Sequence, residues 1–251
     1  MSEAVREQYR DDSNLQARIA LHSRFSTNPE GWTRWLFDRV APTPGARVLE
    51  VGCGPAGLWA ENLDRLDPSW SLTLTDSSPG MIDAARAALG DRADYVVADV
   101  QELPFADESY DVVLANHMLY HVPDRPCALG EIARVLVPGG AFHASTNGRG
   151  HMLELRELVG PEWGFNRHTE DFGLETGIGQ LAALFADVSV EVHENDLSVT
   201  EVEPVLAYVR SSLSYGDGSL DRVREAVEAA IAREGRFRIR KVQGVLHGRK
   251  P

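Results

Sequence analysis

The residues best suited to chemistry in the first half of this chain follow apolar, strand-like runs. Residues 48–51 lead into Gly52-Cys53-Gly54-Pro55-Ala56-Gly57, a glycine-rich turn in which the backbone can approach a ligand closely. Pro55 is predicted to lie in the first turn of a helix whose free N–H groups face that ligand. Asp76 ends the next apolar run, 24 residues after Gly52, where an acid can accept hydrogen bonds from ribose hydroxyl groups. The pattern predicts a nucleotide-like ligand.

Polar residues also end the next three strand-like runs. They are Asp99 after residues 95–98, Asn116 after residues 110–115 and Asn147 after residues 141–146. Residues 128–136 have a helical pattern that Pro138-Gly139-Gly140 ends. Strands that alternate with helices predict βαβ units and a parallel sheet. Ligands bind at the carboxyl ends of the strands in such sheets, which is where these polar residues fall.

These motifs resemble those of the class I S-adenosylmethionine-dependent methyltransferases, most closely the small-molecule branch that includes the ubiquinone/menaquinone-biosynthesis type. The resemblance covers roughly residues 45–147 and rests on five motifs: residues 50–54, Asp76, Asp99, residues 120–124 and residues 136–140. It implies S-adenosylmethionine as the cofactor. It also implies an α/β fold, with a Rossmann-like, seven-stranded, mostly parallel sheet, helices on both faces and an antiparallel last strand. The family usually has glycine where Ala56 stands.

The resemblance further implies a role for each cofactor-binding residue. These are Glu50 near the methionyl ammonium group, Gly52 and Gly54 where the backbone passes the cofactor, Asp76 at the ribose hydroxyls, Met81 over the adenine, Asp99 at the adenine amino group with the Val100 amide beside it, and Asn116 at the opening of the methyl-transfer pocket. Either aspartate alone could be a turn or helix-cap residue. The occurrence of both aspartates at the expected spacing from the glycine turn favours ligand binding.

A hydroxyl or amine acceptor can need a base to remove its proton, and histidine suits this role near neutral pH. The candidate catalytic residues are His117, His151 and Tyr120, and the candidate acceptor-binding residues are Tyr9, Phe25, His121 and Asn147. His117 adjoins Asn116, and His151 follows a Gly-Arg-Gly loop. A lone histidine is more often structural than catalytic, and His121 belongs to a family motif, so structural roles stay open.

The rest of the chain is predicted to surround this core within one domain. Residues 1–44 are helical in pattern and are expected to form a lid, residues 45–150 to bind S-adenosylmethionine, and residues 151–251 to supply substrate-pocket helices and closing strands. Within the last part, residues 188–192 are predicted as a strand, and residues 202–213 and 220–233 as helices. Alternation over residues 237–242 predicts a strand with one solvated face.

Composition limits the partners. A net charge of −13 over 251 residues disfavours a nucleic acid. No signal peptide is evident, and no apolar run approaches the ~20 residues that span a bilayer. The two cysteines, Cys53 and Cys127, form no metal-ligand pattern, so no metal is expected. We therefore expect a cytoplasmic protein with a small-molecule acceptor and no membrane partner; a homodimer is compatible with the sequence.

The favoured function is in-line transfer of a methyl group from S-adenosylmethionine to an oxygen, nitrogen or carbon atom of a small molecule. An NAD(P)-dependent oxidoreductase could use the same glycine turn and ribose acid, although no tyrosine here has a lysine four residues later. A non-catalytic S-adenosylmethionine-binding module could keep the cofactor site without transferring methyl. Both alternatives stay open at this point.

Overall fold

A computed structural model of the chain describes residues 13–40, 42–161, 163, 168–212 and 215–251, without the side chains of residues 13–18 and 168. Tyr9 therefore lies outside the described residues. No prediction made for Tyr9 can be compared with the structure.

The centre of the fold is one mixed β-sheet. Its strands are β1 (Arg47–Val51), β2 (Ser71–Asp76), β3 (Asp94–Val97), β4 (Tyr110–Asn116), β5 (Leu136–Asn147), β6 (Ala186–Val199) and β7 (Phe237–Arg249). Their order across the sheet is β3-β2-β1-β4-β5-β7-β6. The first five strands are parallel, whereas β7 pairs antiparallel with both β5 and β6. The predicted Rossmann-like sheet and its antiparallel last strand are thus confirmed.

Helices connect the strands on both sides of the sheet. They are α1 (Ser13–Phe25), α2 (Trp32–Val40), α3 (Gly57–Ala60), α4 (Pro79–Leu89), α5 (Arg125–Val135), α6 (Leu153–Val159), α7 (His168–Phe172), α8 (Leu174–Ala182), α9 (Val202–Arg210) and α10 (Ser219–Glu234). In the described part of the chain, none of them is both long enough and apolar enough to cross a bilayer.

Alternation along the strands divides the apolar side chains between two faces. On β1, Val48 packs in a cluster with Trp59 and Ile82, whereas its neighbour Leu49 packs with Leu129 in a different cluster. Successive side chains of a strand point to opposite faces, so a fully buried strand reads as one apolar run. A third cluster joins α1, α6, α9 and α10 to β6 and β7. The apolar side chains of the domain thus form one cluster on each face of the sheet and a third cluster among the later helices and strands.

Several element boundaries differ from the predictions: helix α9 ends at Arg210, strand β7 continues to Arg249, and three further differences have an identifiable cause. Helix α5 begins at Arg125, because Asp124 caps it by accepting a 3.0 Å hydrogen bond from the Cys127 N–H. Strand β5 begins at Leu136 and contains the Pro-Gly-Gly segment, where the Gly139 N–H donates to the Lys250 carbonyl at 2.9 Å. Strand β6 is longer than predicted because it pairs with β7 out to Val199. The pairing includes the polar residues 193–196, which local sequence does not mark as a strand.

Candidate functional site

A cavity of about 770 Å³ lies at the carboxyl ends of the parallel strands. Ligand pockets typically measure ~300–1,000 Å³, so this one has room for a sizeable ligand. We call the half lined by residues that follow β1, β2 and β3 the cofactor half, because it holds the predicted cofactor residues. We call the half lined by β5, β6, β7, α1, α9 and the segment after β4 the acceptor half. The lining residues used below are Gly52, Gly54, Glu61, Asp76, Met81, Asp99, Val100, Asn116, His117, Tyr120, His121, Asn147, His151, Asn195, Lys241 and Gln243.

The turn after β1 has a left-handed backbone at three positions. Gly52 and Gly54 have φ angles of +63° and +54°, and a Cβ on Gly52 would lie 2.9 Å from side-chain atoms of Met118. Ala56 also has a φ of +61°, although the family usually has glycine there. Helix α3 begins only at Gly57 and has four residues. The prediction that Pro55 lies in the first turn of a ligand-facing helix is therefore wrong, because left-handed Ala56 separates the turn from the helix.

Adding a methyl group to Gly52 is expected to damage this turn. We expect G52A to lose about 2 kcal/mol of unfolding free energy, because a left-handed alanine costs ~1–2 kcal/mol and the methyl group must displace Met118. Affinity for the predicted cofactor should fall at least tenfold. Urea denaturation and calorimetry measure the two effects. G130A is the matched control, since nothing lies within 4 Å of a Cβ there in α5; equal stability of the two variants would contradict the proposed crowding.

Asp76 connects the ends of β1 and β2. Its two carboxylate oxygens accept hydrogen bonds from the N–H groups of Gly54 at 3.0 Å and Ser78 at 2.8 Å. Burial raises the pKa of Asp76, while these backbone hydrogen bonds oppose the rise. Each oxygen of a carboxylate can accept a second hydrogen bond. Asp76 can therefore hold the turn and still accept hydrogen bonds from two hydroxyl groups of a ligand.

Asp99 stands at the far end of the cofactor half. One carboxylate oxygen accepts 3.0 Å hydrogen bonds from the backbone and side-chain nitrogens of Gln101. The other oxygen has no hydrogen bond to any residue that the structure describes. The buried residues Met81 and Val100 line the cavity beside it. The structure thus brings an available acceptor and two apolar side chains together at the predicted adenine position.

Glu50 is placed differently from the other predicted cofactor residues. It is 1% exposed, is not among the cavity-lining residues, and accepts a hydrogen bond from the Trp59 indole N–H. Burial raises its pKa to about 8, the Trp59 hydrogen bond opposes that rise, and the nearby Asp76 charge adds to it. Glu50 is therefore largely protonated at neutral pH and lies behind the glycine turn.

Asn116 and His117 lie at the junction of the two halves. Asn116 ends β4 and accepts a hydrogen bond from the Ser145 hydroxyl group, which fixes its amide. His117 follows with a φ of +52°, and its N–H donates to the Ser145 carbonyl at 3.1 Å. The His117 Nε2 atom lies 3.4 Å from the amide nitrogen of Gln243. This left-handed residue turns the imidazole toward the acceptor half.

His151 is 6% exposed and lines the acceptor half. Its Nδ1 atom accepts a 3.2 Å hydrogen bond from the Val242 N–H, and burial lowers its pKa well below the ordinary value. The neutral ring therefore carries its proton on Nε2. In this arrangement His151 donates a hydrogen bond from Nε2, so it orients an acceptor more readily than it removes a proton.

The remaining predicted residues divide into two groups. Tyr120 and His121 lie in a short 3₁₀ turn at the cavity, with ring centroids 4.6 Å apart. Asn147 is 9% exposed, and its side-chain oxygen has no hydrogen bond to the described residues. Phe25 is not among the lining residues: it is 7% exposed in the third core cluster, because its apolar ring packs against α6 and α9.

Two site residues on β7, Lys241 and Gln243, were not predicted. Lys241 is 6% exposed, and burial lowers its pKa to about 8. It occupies the inward phase of a strand in which Ile239 is buried and Arg238 and Arg240 are exposed. A lysine in the apolar phase of an alternating strand was the sequence signal that could have identified it.

A family model described as a methyltransferase domain matches residues 49–144 of this chain. The 27-O-demethylrifamycin SV methyltransferase of Amycolatopsis mediterranei is 32% identical over 227 residues, which cover 85% of this chain and 79% of that protein. The chain belongs to the S-adenosylmethionine-dependent methyltransferases. S-adenosylmethionine is accordingly its cofactor.

Other known proteins are similar to this chain over part of its sequence or in fold alone. The ubiquinone/menaquinone biosynthesis C-methyltransferase UbiE of Cereibacter sphaeroides is 31% identical over 159 residues, which cover 61% of this chain and 59% of that protein. The chain thus spans less than two thirds of that relative's length. Among solved structures, a putative methyltransferase from Bacillus halodurans has a TM-score of 0.63 at 15% identity, covering 88% and 99% of the two chains. The [4+2]-cyclase SpnF has a TM-score of 0.61 at 19% identity, covering 99% and 96%.

The residues present fit S-adenosylmethionine. The left-handed glycines leave a cradle that a Cβ on Gly52 would fill, and Asp76 and Asp99 offer acceptors for ribose hydroxyls and an amino group. Asn116 stands where this half meets the acceptor half. The chain's own residues thus offer the groups that the family's cofactor requires.

Proposed function

We propose that this protein transfers a methyl group from S-adenosylmethionine to an oxygen, nitrogen or carbon atom of a small-molecule acceptor. The observation that carries the proposal is the joining of two unlike halves in one cavity. The cofactor half, with Asp76 and Asp99, opens directly into the acceptor half, with His117, His151 and Lys241. The two halves belong to one cavity of about 770 Å³.

When bound, S-adenosylmethionine supplies an electrophilic methyl group. Methyl transfer needs little covalent help, so positioning and exclusion of water carry much of the rate. Asn116, fixed by Ser145, borders the point where the two ligands meet. His151 donates from Nε2 to orient the acceptor, and His117 is the better placed of the two histidines to take a proton. Tyr120 lines the same wall.

A His151 variant tests the orienting role. We expect H151A to lower kcat about tenfold or more while the dissociation constant for S-adenosylmethionine changes less than threefold, because His151 lines the acceptor half only. The pH dependence of kcat should keep its shape, since a hydrogen-bond donor does not titrate in the reaction. H117A removes the candidate base and is likewise expected to lower kcat. Rate assays across pH with cofactor titrations measure this; equal losses of turnover and cofactor affinity in H151A would make the residue structural.

Cofactor binding is the first test of the proposed function. Purified protein is titrated with S-adenosylmethionine, S-adenosylhomocysteine and NADH by calorimetry. We expect micromolar binding of the two adenosyl compounds and none of NADH. Binding of NADH alone would move the chain to the oxidoreductases. Release of S-adenosylhomocysteine with a panel of small hydroxyl, amine and carbon acceptors then distinguishes an enzyme from a non-catalytic binding module.

A second candidate is catalysis without methyl transfer. SpnF, whose structure this fold resembles, is described as a [4+2]-cyclase. In that case S-adenosylmethionine would bind, and a substrate would be converted without release of S-adenosylhomocysteine. Mass spectrometry of the product, with or without a gain of one methyl group, separates the two reactions.

Several sequence-based expectations remain proposals. Residues 1–44 act as a lid, residues 45–150 bind the cofactor and residues 151–251 complete the substrate pocket. The lid is supported by Ile19, His22 and Trp32, which line the cavity from α1 and α2. A cytoplasmic location, the lack of a nucleic-acid partner and assembly as a homodimer are also predictions. Size-exclusion chromatography with light scattering tests the last of these.

A further inference from the structure

The cavity contains a lysine side chain that has no counter-ion among the residues that the structure describes. Lys241 is 6% exposed, and its ammonium group forms no ion pair or hydrogen bond with any residue that the structure describes. Its neighbours on the outer phase of β7 differ: Arg238 pairs with Asp196 at 3.0 Å and Arg240 with Glu154 at 3.7 Å. In a chain with a net charge of −13, a buried cation without an acid is unexpected.

The charges of the cavity are separated between its two halves. Among the described lining residues, the acids are Glu61, Asp76 and Asp99, and all follow β1, β2 or β3. The acceptor half is lined instead by Lys241 and by neutral polar groups. An anion in the acceptor half is therefore kept apart from the carboxylates of the cofactor half, which would repel it.

Strand register gathers the polar groups around Lys241. Lys241 lies opposite Asn195 of β6, and Gln243, two residues further on the same face, lies opposite Asn147 of β5. All four residues line the cavity. The oxygens of Asn147 and Gln243 have no hydrogen-bond partner among the described residues. The face thus offers one cation beside two acceptors that lack a donor, which suits a ligand carrying both an anionic group and a hydroxyl or amino group.

We propose that the acceptor of this methyltransferase is a small organic acid, whose carboxylate pairs with the Lys241 ammonium group in the acceptor half. Burying an unpaired ammonium group costs free energy, so the protein gains nothing from Lys241 unless a ligand supplies the missing charge. Lys241 is the only lysine or arginine among the described lining residues, and a single positive charge matches a carboxylate better than a doubly charged phosphate. This inference rests on the proposed function and names its substrate class.

The test compares two probes that differ in charge. Protein saturated with S-adenosylhomocysteine is titrated with benzoate and with benzamide by calorimetry. We expect benzoate to bind the wild type at least tenfold more tightly than benzamide. K241M should abolish this preference, and K241R should keep most of it. R240M is the matched control, because it removes the same charge from the adjacent residue on the outer face and should leave the preference unchanged.

Other outcomes overturn the proposal. Equal affinity of the wild type for the two probes, or a preference that survives in K241M, would remove Lys241 as an anion site. Tighter binding of phenyl phosphate than of benzoate would replace the carboxylate by a phosphate. The melting temperature of K241M should rise by about 2 °C or more, because a buried unpaired charge is removed; a fall would make Lys241 a structural residue. If S-adenosylhomocysteine does not bind, the proposed function fails, and titrations without it still test the anion site.

Discussion

Replacing Glu50 with glutamine is expected to stabilise the protein at pH 8 by on the order of 3 kcal/mol. Burial raises the pKa of Glu50 from about 4.5 to about 8, so the folded state holds a proton that the unfolded state releases. Stability linked to this group is fully present below pH 4.5 and is lost as pH rises through 8. Glutamine keeps the hydrogen bond from Trp59 but has no proton to lose. Urea denaturation at pH 4.5, 6 and 8 measures the difference, which should shrink toward zero at the lowest pH.

The same variant should bind S-adenosylmethionine less tightly. The family resemblance implies that the methionyl ammonium group lies near Glu50, where it would favour the ionised carboxylate, so we expect binding to the wild type at pH 7 to release up to one proton. Calorimetry in buffers of different ionisation enthalpy measures that proton, and E50Q should release none. E225Q is the matched control. It makes the same change of residue type at Glu225, which is exposed on α10 and lies away from the site. Parallel stability curves for wild type and E50Q across this pH range would contradict the buried, protonated state of Glu50.

Asp76→Ala is expected to weaken S-adenosylmethionine binding at least a hundredfold. The variant loses the acceptor for the ribose hydroxyls and also the two backbone hydrogen bonds that hold Gly54 and Ser78. Hydrogen bonds to a charged group contribute ~1.5–3 kcal/mol each, and a hundredfold change corresponds to about 2.7 kcal/mol. Calorimetric titration measures the affinity, and circular dichroism checks that the variant is folded.

An unusually close control exists for this substitution. Asp67 accepts a 2.8 Å hydrogen bond from the N–H two residues later, as Asp76 does, but it is not among the cavity-lining residues. D67A therefore removes the same local turn interaction from a different surface and should keep wild-type affinity. Near-normal affinity in D76A would show that Asp76 does not bind the ribose, and an equal loss in D67A would show that the loss does not depend on a contact in the cavity.

Strand ends could be predicted from this sequence because each one is marked by a polar residue after an apolar run. Asp76, Asp99, Asn116 and Asn147 all line one cavity for this reason. The direction of β7 followed from the family resemblance and not from the residues themselves. The start of β5 depended on pairing with other strands, which no local pattern encodes: Leu136 lies opposite Tyr110 of β4, and from Ala141 onward the strand pairs with β7, more than 100 residues away.

Side-chain roles were harder to predict than positions. Glu50 is in the expected segment, yet only the fold shows that Trp59 covers it and that burial raises its pKa. Phe25 has a residue type suited to stacking on a ligand, but tertiary packing takes its ring into the core. His151 has the residue type of a base, and the hydrogen bond from Val242 on a distant strand makes it a donor. Each difference arises from a contact between segments far apart in sequence.

The antiparallel placement of β7 between β5 and β6 has a consequence for how this protein can change. The residues predicted to hold the cofactor follow strands in the first half of the chain, whereas Lys241 and Gln243 come from its last strand. Under the proposed function, substitutions on the inward phase of β7 are therefore expected to alter which acceptor is recognised, while the residues predicted to bind the cofactor stay unchanged. A library restricted to positions 195, 241 and 243 is an economical route to new methylation substrates. Such a library would leave the predicted cofactor site unchanged and vary only the residues that face the acceptor.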